Sequence, residues 1–186
     1  KESNKVNKPV LAEYLEPQQL AMSVGGAAKL VNSVRMLSEA TPQFVVVKCD
    51  IKNAFNCVSR ARILEVMESE DKLKHLVWHA ALSLCSPNAL ETEGKVWGEA
   101  QEGSTQGDPE AGGYFCLAWH PHIRALDRRL SAAGGAARAG ADDLFIIGPP
   151  DVVFPAMEVF WQEVAETCLL QVERSKTQVF TQTGEL

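Results

Sequence analysis

Two adjacent aspartates, Asp142 and Asp143, stand between two apolar segments, residues 136–141 and 144–147, that each read as a strand. Neighbouring carboxylates repel, and keeping them beside buried strands is costly unless a cation neutralises them. The arrangement therefore predicts a tight strand–turn–strand whose tip meets solvent or a bound cation. A third aspartate, Asp50, ends the β-branched run Phe44-Val45-Val46-Val47, a buried strand by composition. Taken alone, the plainer reading is stronger: Asp142-Asp143 as a solvated turn and Asp50 as a helix cap.

The elements around these aspartates mix helices with hairpins. Gly25-Gly26 precedes a helical stretch, residues 27–40, with Val31, Val34 and Leu37 at helical spacing. After the first strand come helical stretches at 59–68 (Ile63, Val66, Met67) and 72–84 (Leu73, Leu76, Val77, Ala80, Leu84). A hairpin is expected over 89–100, across Glu93-Gly94. Asp108-Pro109 is a favoured helix start, and Phe115, Trp119, Ile123, Leu126 and Leu130 then lie on one helical face. Past the Asp142-Asp143 turn, Asp151 is expected to cap a helix bearing Val153, Met157, Phe160, Val164 and Cys168, with an extended pair, 169–172 and 178–180, closing the chain. This order predicts an α+β fold, a small antiparallel sheet packed on helices. Residues 1–16, polar and containing Pro9, read as an irregular lead-in, and 17–186 as one domain.

Composition narrows the class. No apolar run approaches the roughly 20 residues a membrane span needs, so no membrane role is expected. Cys49, Cys57, Cys85, Cys116 and Cys168 are odd in number and scattered, which suits reduced thiols and an intracellular protein. The chain lacks an initiator Met and reads as a piece of a longer one. A net charge of −6 runs against nucleic-acid binding, although an acidic metal site contributes to it. His75 with His79, and Cys116 with His120 and His122, fall short of a zinc ligand set. Gly25-Gly26-Ala27-Ala28-Lys29 lacks phosphate-loop spacing.

Four short motifs occur in order: Asp50-Ile51-Lys52-Asn53-Ala54-Phe55-Asn56, then Gln106-Gly107-Asp108-Pro109, then Ala141-Asp142-Asp143-Leu144, then Ser175-Lys176-Thr177. Asp142 follows Asp50 by 92 residues and Gln106 by 36. The series resembles palm motifs A to D of the reverse transcriptase domain of non-LTR (LINE-type) retrotransposons, with residues 18–39 similar to the helical lead-in before motif A. The resemblance implies a polymerase palm with partial fingers and an RNA-directed DNA polymerase using two Mg²⁺ or Mn²⁺ ions. It further implies Asp50 and Asp142 as metal ligands, Asp143 as a less stringent third carboxylate, and the Ile51 carbonyl completing one coordination sphere. Phe55 would lie under the incoming sugar and exclude a 2′-hydroxyl, although without the motif it reads as a core residue. Gln106 and Gly107 would approach the nucleotide and template, and Lys176 the triphosphate. The implied partners are an RNA template, a DNA primer, deoxyribonucleoside triphosphates, and finger and thumb segments of a parent chain. An active eukaryotic retroelement would work in the nucleus.

Two positions depart from that pattern. Gly140 stands where the family places an aromatic residue, and Glu110 where an apolar one follows Gln-Gly-Asp-Pro. A decayed or domesticated binding module is therefore the competing expectation. An unrelated metal-dependent hydrolase accounts for the aspartates but not for the ordered motifs.

Overall fold

The computed structural model describes residues 2–85, 88–104 and 109–182. In chain order the elements are α1 (Glu2–Leu15), α2 (Gly26–Ala40), β1 (Val45–Cys49), α3 (Ala54–Cys57), α4 (Arg60–Ser69), α5 (Val77–Leu84), β2 (Asn88–Thr92), β3 (Lys95–Ala100), α6 (Ala111–Ser131), β4 (Ala136–Gly140), β5 (Asp143–Gly148), α7 (Pro150–Cys168) and β6 (Gln178–Thr181). The fold is α+β, as expected. Four strands form an antiparallel sheet in the order β4-β5-β1-β6, and β2 and β3 form a separate hairpin.

Alternation along the strands sorts side chains between two faces. Val45, Val47 and Cys49 of β1 join Leu144 and Ile146 of β5 in the core. Beneath them lie α6 and α7, whose Phe115, Trp119, Ile123, Leu126, Leu130, Phe160 and Val164 are fully buried. The predicted face of the long helix is thus the one the sheet covers. On the other face, Lys48 pairs in register with Phe145, and Leu30 of α2 lies against Gly140 of β4. All five cysteines are free, and no described helix is long and apolar enough to cross a membrane.

The structure corrects several local expectations. The lead-in is helical, not irregular: Leu11 and Leu15, one turn apart in α1, are buried in the main core, and that burial outweighs Pro9 inside the helix. In α2, Leu30 takes the buried position while Val31 is exposed. The 72–84 stretch is broken into a 3₁₀ turn at Lys74–Leu76 followed by α5, keeping Leu73, Leu76, Ala80 and Leu84 inside. The Pro149 carbonyl accepts from the Val152 and Val153 amides, so Pro149 takes the cap position before α7 and Asp151 sits in the first turn without capping it. The two closing segments do not pair with each other: β6 joins β1, while Val172 bridges Ile51. The helix start expected at Asp108 lies outside the described residues.

Candidate active site

Asp50 follows the last residue of β1. The segment after it is pinned by residues 171–173: the Lys52 amide donates to the Gln171 carbonyl at 2.8 Å, Ile51 bridges Val172, and the Glu173 amide donates to the Asp50 carbonyl at 2.8 Å. The Glu173 carboxylate then accepts from the amide and hydroxyl of Ser175, shaping the turn Arg174–Lys176. That turn carries Lys176 back over the sheet, with its Nζ 3.1 Å from Asp50 Oδ2. Its hydrogen bond and attraction to Asp50 hold the Lys176 ammonium above its ordinary pKa.

Asp142 and Asp143 lie at the tip of the β4–β5 hairpin. Gly140 pairs with Asp143 across a two-residue turn in which Ala141 adopts φ +56°, the left-handed region. Asp143 Oδ1 is 3.0 Å from Lys48 Nζ, which also lies 5.8 Å from the centroid of the Phe145 ring. Burial, and after it the charge of Asp142, pushes the Cys116 thiol up.

Phe55 follows the left-handed Asn53 (φ +49°) in α3, and its ring stacks on Phe115 at 4.7 Å between centroids. Its carbonyl accepts from the Ser104 amide at 2.7 Å, and the Val58 carbonyl accepts from the Gly103 amide at 2.8 Å. Gly103 has φ +84°, and a Cβ there would come within 2.5 Å of the Asn56 carbonyl oxygen. Only glycine lets this loop lie so close to the segment around Asn56. Gln106, Gly107 and Asp108 lie outside the described residues.

Asp50, Ile51, Phe55, Asp142 and Lys176 come together in one cavity of about 240 Å³. Asn53, Ala54 and Asn56 complete its lining. Nothing in their residue types marks these three for a role, although they stand inside the first motif. Lys48, two residues before Asp50, likewise carries no motif signature. Asp143 is not among the lining residues; it is engaged by Lys48. A larger groove of about 800 Å³ between α7 and the 170–177 segment shares no lining residue with this cavity.

Whether the cavity suits a divalent ion can be judged from its donors. Among the described residues, no three carboxylate, imidazole or thiol side chains converge to chelate an ion by themselves. Asp50 and Asp142 nonetheless present hard oxygens to one small space, and a cation, the Lys176 ammonium, already sits at Asp50. Mg²⁺ is commonly held by one or two carboxylates together with substrate phosphates. The donor set fits that kind of site.

Both departures from the motif pattern have local causes. A Cβ at Gly140 would come within 2.8 Å of Leu30 Cδ2, so α2 fills the place a larger side chain would take. Glu110 is only 6% exposed. Its carboxylate accepts from the Tyr114 hydroxyl at 2.6 Å and from Asn7 Nδ2 at 2.9 Å, and it lies 2.9 Å from His79 Nδ1. It ties α1 and α5 to the start of α6 and leaves that helix intact.

Over almost its whole length the chain has a reverse transcriptase-like fold. It is similar to apo telomerase from Candida tropicalis, with a TM-score of 0.72 at 12% identity over 99% of this chain and 36% of that one. It is likewise similar to telomerase from Candida albicans in complex with a fragment of telomeric RNA, with a TM-score of 0.70 at 12% identity over 98% of this chain and 34% of that one. The chain thus spans about a third of the telomerases it matches. No family model and no curated protein matches the sequence.

Proposed function

We propose that this chain is the palm and part of the fingers of an RNA-directed DNA polymerase of the non-LTR retrotransposon type, extending a DNA primer on an RNA template. The observation that carries the reading is the cavity itself. Segments far apart in sequence bring Asp50, Asp142, Phe55 and Lys176 to one place on the sheet, in a fold shared with telomerase. A telomerase with this fold has been seen with telomeric RNA, which agrees with nucleic-acid partners.

Asp50 and Asp142, with the Ile51 carbonyl, would hold Mg²⁺ or Mn²⁺, which when bound supplies Lewis-acid activation of a primer 3′-hydroxyl and charge neutralisation of departing pyrophosphate. The chain's own groups do the rest. Phe55, braced by Phe115, would press against the sugar of the incoming nucleotide and leave no room for a 2′-hydroxyl. Lys176, once drawn off Asp50, would meet the triphosphate and donate a proton to pyrophosphate. Gln106 and Gly107 would contact the nascent base pair, and Asp143, held by Lys48, would tune the charge of the site. Finger and thumb segments of a longer chain would supply most of the phosphate contacts, consistent with the acidic balance of this part.

The test is extension of a primed RNA template by the full-length protein in Mg²⁺ and in Mn²⁺, beside Asp142→Ala. Extension is expected from the wild type and only background from the variant. The second reading, a binding module retaining the palm, is favoured by the net charge of −6. A folded protein that holds the primed template without extending it would establish that reading instead.

A further inference from the structure

Residues 18–20 run beside the outer edge of β4. The Ala139 amide donates to the Gln18 carbonyl at 2.7 Å, the Leu20 amide donates to the Ala139 carbonyl at 2.8 Å, and Gln19 bridges Ala139 in parallel register. Those backbone bonds dock the segment on the strand edge. The Gln19 side chain reaches further along the hairpin. Its Nε2 donates to the Ala141 carbonyl at 2.9 Å, and its Oε1 accepts from the Ala141 amide at 2.9 Å and from the Ala21 amide at 3.1 Å. Gln19 is completely buried, so this amide is committed to the turn and has no water to exchange with.

Ala141 needs such a partner. It is a non-glycine residue at φ +56°, a conformation that L-residues hold only when their surroundings impose it. Its carbonyl belongs to the same planar peptide as the Asp142 amide. Fixing both polar groups of Ala141 therefore fixes the plane from which the Asp142 side chain springs.

We propose that Gln19 is a positioning residue for the reaction: it locks Ala141 in the left-handed conformation and so aims Asp142 into the cavity. The proposal rests on the reading of Asp142 as a metal ligand. Backbone partners alone leave the turn free to relax, and Asp142 then spends less time aimed at the cavity.

The full-length protein is compared with Gln19→Leu, Ala141→Gly and the double variant. Hydrogen-exchange mass spectrometry follows the 139–143 segment without metal, and electron paramagnetic resonance of free Mn²⁺ follows metal binding. Gln19→Leu should speed exchange of the segment and weaken Mn²⁺ binding roughly 10- to 100-fold. Ala141→Gly carries no Cβ penalty at positive φ, and in the double variant it should recover part of that loss, which a general loss of packing would not allow. Unchanged exchange in Gln19→Leu overturns the clamp. Faster exchange with unchanged Mn²⁺ affinity overturns its positioning role. Should Gln19→Leu fail to fold, Gln19→Glu keeps the shape and places an oxygen against the Ala141 carbonyl, and the same two readouts decide. If wild-type Mn²⁺ binding is not lost in Asp142→Ala, the metal reading fails, and with it the role in aiming a metal ligand; the exchange result still decides the clamp.

Discussion

Asp50 meets an ammonium group at the place where, on the proposed reading, a metal ion would compensate its charge. The Lys176 side chain is 69% exposed and Asp50 only 23%, so the lysine can swing away at little cost and yield the carboxylate. Lys176→Ala should therefore tighten Mn²⁺ binding, measured on the nucleotide-free protein, because the ion no longer displaces a competing cation. An unchanged affinity would mean the pair does not compete with metal. Asp50, Asp142, Phe55 and Lys176 were all legible in the sequence, because each stands inside a short motif. Gln19 was not. A glutamine after a proline-containing segment has no periodic or motif signature, and its importance comes from Ala141, 122 positions away.

Among elements, α6 connects the site to the scaffold. Phe55 stacks on Phe115, Phe115 on Trp119 at 5.7 Å, and Trp119 on Phe160 of α7 at 6.4 Å. A run of aromatic rings thus extends from the cavity to the far layer. Phe160→Ala, at a fully buried position, should cost about 3–5 kcal/mol in urea denaturation; a cost under ~1 kcal/mol would show that α7 packs independently of the run. The helical face of α6 could be read from its spacing. Helix α1 could not, because Pro9 and polar neighbours hide a stripe whose stability comes from the core it touches.

At the scale of the whole molecule, His120 joins α6 to α1. It is completely buried, its ring meets Tyr14 edge-on at 5.1 Å between centroids, and neither ring nitrogen has a hydrogen-bond partner of normal geometry. Burial, assisted by the charge of Arg124, lowers its pKa from 6.5 to about 4; the Tyr14 backbone pulls weakly the other way. The unfolded chain therefore takes up a proton near pH 6.5 that the folded chain refuses until about pH 4. The contribution of neutral His120 is complete above pH 6.5 and is lost as pH falls to about 4, a difference of roughly 3 kcal/mol. Chemical denaturation at several pH values should show wild type losing stability through this window faster than His120→Phe. Parallel curves would place the acid sensitivity elsewhere.

By itself the sequence determined the α+β class, the strands flanking the aspartates, the buried face of α6 and the motif residues of the cavity. Those features depend on local spacing, β-branching and short motifs. Only the tertiary structure decided that residues 2–15 are helical, that Lys48 takes Asp143, that Leu30 fills the space at Gly140, and that Gln19 holds the turn. Each of these is a contact between residues distant in the chain, and such contacts exist only once the sheet and its helices have closed on one another.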